Sequence, residues 1–261
     1  MANYIDKEIV CEMYVHIKFS DYSNEKKLNE IKSRVKNYFD ERVSFLLGDS
    51  VETLIETEEG SLKLKVSALA GIAALVGSAI MKYPDFRDAI KIIHEDSKVL
   101  AEATALETIF VTKTPSCDRI HSEARTGVIG RTAKIITTLE SLADQSRSLK
   151  APATKADIKT ISELNGKLSA VFGDIEKLLN KINTDEDRYC IAKGFYMAYQ
   201  QLPSVLPAEN ELNNSQIKRS LINGDDLRVK MEFEFQRYIS NVNSAKAVIK
   251  RIGAASKPKQ V

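Results

Sequence analysis

From Glu8 to Phe19 the chain alternates: Ile9, Cys11, Met13, Val15, Ile17 and Phe19 are apolar, and Glu12, Tyr14, His16 and Lys18 between them are polar or amphipathic. Period two over that length predicts a strand with one buried face. After "SDYSN" the period changes. Leu28, Ile31, Val35, Tyr38 or Phe39, and Phe45 or Leu46 recur at helical spacing, and Gly48 supplies a stop, so a helix of about twenty residues is expected there. "SVETLIETEEGSLKLKV" then returns to period two on both sides of Glu58-Glu59-Gly60, with Leu62, Leu64 and Val66 facing away from Lys63 and Lys65. Residues 1–66 thus read as a β-α-β-β unit.

Beyond Ser67 the strand signals fade and helical ones take over. Pro84 suits the first turn of a helix, in which Phe86, Ile90, Ile93, Ser97, Leu100 and Thr104 follow 4-3-4-3-4 spacing. "KTPSCDRIHSEARTG" interrupts the pattern, and a further helix is expected over about 128–149. "KAPATKAD" reads as a linker that ends in a start signal, Thr154 followed by Asp157. Ile161, Leu164, Leu168, Val171, Ile175, Leu178 and Ile182 form one later seam. Met231, Phe235, Tyr238, Val242, Ala245, Ile249 and Ile252 form another, closed by Gly253. Seams of this spacing mean helices packed side by side. The expected fold is mostly α with a small N-terminal α+β unit: β-α-β-β over 1–66, an elongated helical bundle over 67–253 that includes an apolar helix at 67–82, and a disordered tail at 254–261.

That apolar helix poses the main question. No residue between Lys65 and Lys82 is charged. Its sixteen residues would span about 24 Å as a helix, short of a hydrocarbon thickness of about 30 Å. Ala70, Ala74 and Ser78 make a row of small residues, and Ser67/Gly71 and Ala73/Gly77 make two more; such rows let helix backbones approach closely, in lipid or in a crowded core. Lysines and an arginine flank both ends, so no membrane orientation emerges. A buried or interface helix, a membrane contact and an exposed oligomer seam all stay open.

Composition narrows the classes. Hydrophobic content of 43% and charged content of 28% are those of a globular protein, and scarce Gly and Pro favour long helices. A net charge of +2 argues against a nucleic-acid partner held by bulk electrostatics. Three distant cysteines form no disulfide framework, and the N-terminus lacks a signal-peptide core, which points to the cytoplasm, with membrane association as the other option.

Candidate chemistry is sparse. Among the histidines, His16 falls on the polar face of the first strand and His94 on a charged helix face. His121, with Cys117 four residues before it, lacks the second ligand pair a zinc site needs. No catalytic constellation, metal site or cofactor motif is called. In "SEARTGVIGRTAK", Gly127 and Gly130 form a GxxG turn opening a helix, bracketed by Arg125, Arg131 and Lys134. Backbone N–H groups and guanidinium groups so placed would hold a phosphate or a phosphodiester.

The order of a Gly/Ala-rich apolar segment, then "YPDFRDAI", then "EARTGVIGR", resembles uncharacterised bacterial proteins with a similar N-terminal unit, over about residues 50–140. The resemblance implies a bacterial, membrane-proximal setting and no activity. Three readings follow. The first is a non-enzymatic interaction protein that self-associates or docks a protein partner through its helical seams and through Ser67, Ala70, Gly71, Ala74, Gly77 and Ser78. The second is a membrane-associated effector of the defence or toxin type that inserts the 67–81 helix. The third is anion or RNA binding at Arg125–Arg131.

Overall fold

The computed structural model describes residues 8–19, 24–58, 62–80, 85–115, 118–150, 155–209 and 225–257. The chain is mostly helical with one small antiparallel sheet, as the periodicities predict. It divides into two compact units, residues 1–133 with 182–187, and residues 134–181 with 188–261.

The first unit opens with β1 (Glu8–Ile17), α1 (Glu25–Leu47), β2 (Glu52–Glu58) and β3 (Leu62–Ala70). In β1, Cys11, Met13, Val15 and Ile17 are buried, and an irregularity between Ile9 and Cys11 turns Val10 inward as well. Asn24 caps α1, its side chain accepting from the Lys27 N–H at 3.1 Å. Gly48 ends the helix at φ 94°, where a side chain would be strained, and its N–H returns to Val43 and Ser44. The buried stripe of α1 is Ile31, Val35, Phe39, Val43 and Leu47. Of the two alternatives expected at its end, Phe45 is 87% exposed and Leu46 half-buried, because strict i+4 spacing carries the stripe to Leu47.

Two expectations need correction here. Residues 67–82 are not one helix. β3 runs on to Ala70, and the first helix after it, α2, spans only Ile72–Ile80. Leu62, Leu64, Val66, Ala68 and Ala70 are all buried, so the period-two face continues through two alanines that also suit a helix. The β1 ladder fixes the matter, pairing Glu8 with Ala70, Cys11 with Ala68 and Glu12 with Ser67. Second, part of "KTPSCDRIHSEARTG" is a strand. β4 (Arg119–Arg125) pairs with β1, with Glu12 opposite Arg125, Tyr14 opposite Glu123 and His16 opposite His121.

Between α2 and β4 lies α3 (Phe86–Thr112), capped by Asp85, which accepts from the Arg87 N–H at 3.1 Å; Pro84 falls outside the described residues. Strand order is β2-β3-β1-β4, with every pairing antiparallel. This is the β-α-β-β-α-β order of the split β-α-β, or ferredoxin-like, motif, with α2 and α3 together in the second crossover. α1 and α3 pack against each other and on the sheet. The sheet thus extends past residue 66 and enlists a strand from far along the chain.

α4 (Gly127–Ser148) and α6 (Asp185–Gln200) each cross the division between the units; α5 (Lys155–Leu179) and α7 (Asp225–Ala255) belong to the second. All seven predicted seam residues from Ile161 to Ile182 are buried, as are Met231, Phe235, Tyr238, Val242, Ala245 and Ile249. α5 packs along α7 around a buried polar layer: Asn165 Nδ2 donates to the Glu234 carbonyl at 2.9 Å and to its Oε2 at 2.8 Å. One polar pair in an apolar seam fixes its register. Gly253 does not stop α7. A Cβ there would lie 3.4 Å from that of Ala192, so the glycine marks close packing on α6, and the helix continues to Ala255 with Ser256 buried behind it. The expected disordered tail is therefore ordered at least through Ser256; Thr154 and residues 258–261 lie outside the described residues.

Candidate functional site

The GxxG turn is built around close approach. Gly127 has φ +48°, and a Cβ on it would sit 2.1 Å from the carbonyl oxygen of Ile9. Only glycine lets α4 begin this near the backbone of β1. At Gly130 a Cβ would meet the Thr126 hydroxyl at 2.0 Å and His94 Cε1 at 3.3 Å. Arg131 and Lys134 stand exposed on α4. Arg125, the remaining cation, already holds carboxylates: Nη2 reaches Glu123 Oε2 at 2.6 Å and Nη1 reaches Glu12 Oε1 at 3.0 Å. The Glu123 hydrogen bond, then charge, raises the guanidinium's affinity for its proton, and Arg125 in turn holds the Glu123 carboxyl below its ordinary range.

These contacts belong to a network covering the sheet face opposite the helices. Glu12, only 2% exposed, also receives Lys65 Nζ at 3.3 Å and the Ser67 hydroxyl at 3.2 Å. Lys65 bridges on to Glu56 at 3.0 Å, and Lys63 holds Glu58 at 2.9 Å. Tyr14 lies between the rings and charges of β4, with its centroid 6.0 Å from that of His121 and 5.9 Å from the Arg125 guanidinium. His121 is 3.6 Å from Glu123. Cys117 lies outside the described residues, among which no group of three metal-ligating side chains gathers. Cys11 is buried in β1, and burial pushes its thiol up to about 12, so at neutral pH it is a protonated core residue and no nucleophile.

The small-residue rows are dispersed. Ser67 is buried and bound to Glu12, Ala70 is buried in β3, and Gly71 is half-buried before α2. Ala74 and Gly77 are exposed on α2, while the side chain of Ser78 lies outside the described residues. A helical row through Ala70, Ala74 and Ser78 does not exist, and no helix among the described residues is long and apolar enough to cross a membrane. The described part of 67–81 is thus the end of a strand followed by a nine-residue helix. α2 is instead fixed by a residue that the periodicities do not single out: Asp187 of α6, 2% exposed, accepts the Ala73 N–H at 2.5 Å and caps the helix from across the chain.

α3 carries a feature the sequence reading passed over. Its predicted seam is buried as expected, and the hydroxyls of Thr104 and Thr108 are satisfied by the carbonyls of Leu100 and Thr104. A second seam, Ile92, Asp96, Val99, Ala103, Leu106 and Phe110, repeats the 4-3-4-3-4 spacing on the outer face. There Val99 is 58%, Leu106 65% and Phe110 69% exposed. Asp96, in the same row, has its carboxyl raised above the ordinary range, first by burial and then by Glu95. The signal was present in the sequence as a second register on the same helix.

Fold and surfaces define a mostly helical, two-unit chain whose α+β unit has a charge-paired sheet face and an apolar helix face open to solvent. No family model, curated protein or solved structure matches it.

Proposed function

We propose that the chain is a non-enzymatic interaction protein that docks a protein partner on the outer face of α3. The observation that carries this reading is the second seam, regular in spacing and exposed at Val99, Leu106 and Phe110. An outward helix face in a two-layer unit is ordinarily polar. Three large apolar side chains in one row along it form a stripe of the kind that marks an interaction site.

The energetics say what such a contact requires. Covering these three side chains recovers roughly 1–2 kcal/mol each, about 3–6 kcal/mol in all. Association itself costs about 4–15 kcal/mol. The stripe alone is therefore marginal, and a stable complex needs contributions from the residues that border it.

Site-specific photocrosslinking tests the proposal. With p-benzoylphenylalanine placed at Leu106 or at Phe110 in the native host, discrete adducts are expected at both positions and none at Lys167, an exposed control on α5. Absence of adducts at both α3 positions, or equal labelling at the control, overturns it.

A further inference from the structure

The residues bordering the α3 stripe identify the chemistry of what covers it; this inference rests on the docking reading above. At about 100° per residue, Glu95 and Glu102 lie within about 60° of Val99 on one side of the stripe, and Asp96 lies within about 60° on the other. Glu107 stands a little further round on the Asp96 side, where Arg34 contacts it at 3.3 Å. Lys91 and Lys98 sit some 80–100° away, beyond the acidic edge. One margin of the stripe is thus lined by the carboxylates of Glu95 and Glu102, and Asp96 sets a third carboxylate at the opposite edge of the row itself.

We infer that the occupant is an amphipathic helix of another protein, with Lys or Arg bordering an apolar seam, laid along α3 from Ile92 to Phe110. The 4-3 spacing fits a helix partner, because it is the spacing at which side chains of two helices interdigitate. The stripe is about 27 Å long, so the partner segment has about five turns. Charge selects its sign. A second copy, parallel or antiparallel, would bring acidic margins against acidic margins, and like charges flanking a helical seam disfavour that pairing. Basic margins would meet Glu95, Asp96 and Glu102 with opposite charge, and would supply the border contribution that the apolar row lacks.

The test uses the full chain and two synthetic helical peptides of about 21 residues. They share a leucine seam and carry either lysine or glutamate beside it, and binding is read by fluorescence anisotropy at low salt. The lysine peptide is expected to bind and the glutamate peptide not to. Leu106→Glu should abolish binding. Glu95→Lys with Glu102→Lys should weaken it about tenfold, an effect that shrinks as salt is raised. Circular dichroism confirms that each variant is folded, and Phe110→Gln and Val99→Gln serve as milder substitutions should Leu106→Glu not fold. Equal binding of the two peptides overturns the inference, as does lysine-peptide binding that ignores the charge reversals. A dimer of the protein alone that Leu106→Glu dissolves also overturns it. Adducts at Leu106 and Phe110 without any preference for the lysine peptide would leave the docking face standing and remove only the basic helix.

Discussion

Replacing Gly127 by alanine is the sharpest test of how the GxxG turn is built. The added Cβ would lie 2.1 Å from the Ile9 carbonyl oxygen and 3.1 Å from its carbon, both backbone atoms of a strand paired on two sides. Ordinary contact needs about 1 Å more, and no rotamer change can supply it, so β1 and the start of α4 must separate. Overpacking of this kind costs about 1–3 kcal/mol. The left-handed φ of +48° adds about 1–2 kcal/mol for any residue with a Cβ. Together these give a loss of roughly 2–5 kcal/mol, large against a domain stability of about 5–15 kcal/mol. At about 2–4 °C per kcal/mol, Tm falls by about 4–20 °C.

Gly130→Ala makes the matched control. Its nearest neighbour is the Thr126 hydroxyl, which can rotate; the Thr126 Cβ at 3.0 Å must give by roughly a few tenths of an ångström. The helix gains roughly 0.5–1 kcal/mol of propensity, so the loss in Tm should be much smaller than for Gly127→Ala. Thermal and urea unfolding followed by circular dichroism, with hydrogen exchange on β1 and β4, reads both variants. A Gly127→Ala protein as stable as the parent would refute the packing account and return the glycine to the anion-binding explanation.

Further outcomes follow from single contacts. Asp187→Ala removes the cap of α2 and should cost about 1–2 kcal/mol, whereas Asp187→Asn, which keeps an acceptor for the Ala73 N–H, should recover most of it; equal Tm values for Ala and parent would show that the cap does not matter. Gly166 and Gly173 lie inside α5 with nothing within 4 Å of an added Cβ, so Gly166→Ala with Gly173→Ala should stabilise by about 1–2 kcal/mol, and a lowered Tm would contradict this. Asp96 holds its proton to higher pH in the folded than in the unfolded chain, so its contribution falls as pH rises through that window; the Tm gain from Asp96→Asn should therefore grow from about pH 4 to neutrality, and a pH-independent gain would count against the burial of its charge.

The legible elements share one property: a single buried face repeated often enough to show its period. β1, α1, α5 and α7 meet it, and Gly48 adds a stop signal whose chemistry is local. β4 does not. It is an edge strand with six of seven residues exposed, its partner lies about a hundred residues earlier, and the only large apolar residue in "RIHSEAR" is Ile120. The β3–α2 junction misleads for a different reason. Ala68 and Ala70 fill core positions opposite β1, where small side chains suffice, and alanine spacing alone does not tell a buried strand from a helix. Asp187 caps a helix more than a hundred residues before it, so no local string announces it.

The two outer surfaces of the α+β unit differ in how completely their groups are satisfied, and that difference supports the proposal that a partner docks on the helix side. On the sheet side, Glu12, Lys65, Glu56, Arg125 and Glu123 form a chain of contacts between 2.6 and 3.3 Å, with Lys63 and Glu58 paired beside it. A partner seated there would have to desolvate ion pairs that already have their counter-charges, an exchange that rarely gains affinity. On the helix side the opposite holds. The inner seam of α3 is buried in its own unit, while Val99, Leu106 and Phe110 keep water on them and the carboxylates of Glu95 and Glu102 border them. A helix with two apolar seams has the pattern of a middle layer, with the sheet on one side and a place for a third layer on the other. Asp96 sits within that outer seam with its charge partly desolvated. A cation brought against it would turn that penalty into attraction, so the one misfit in the row is also the point at which a basic partner gains most over an apolar or acidic one.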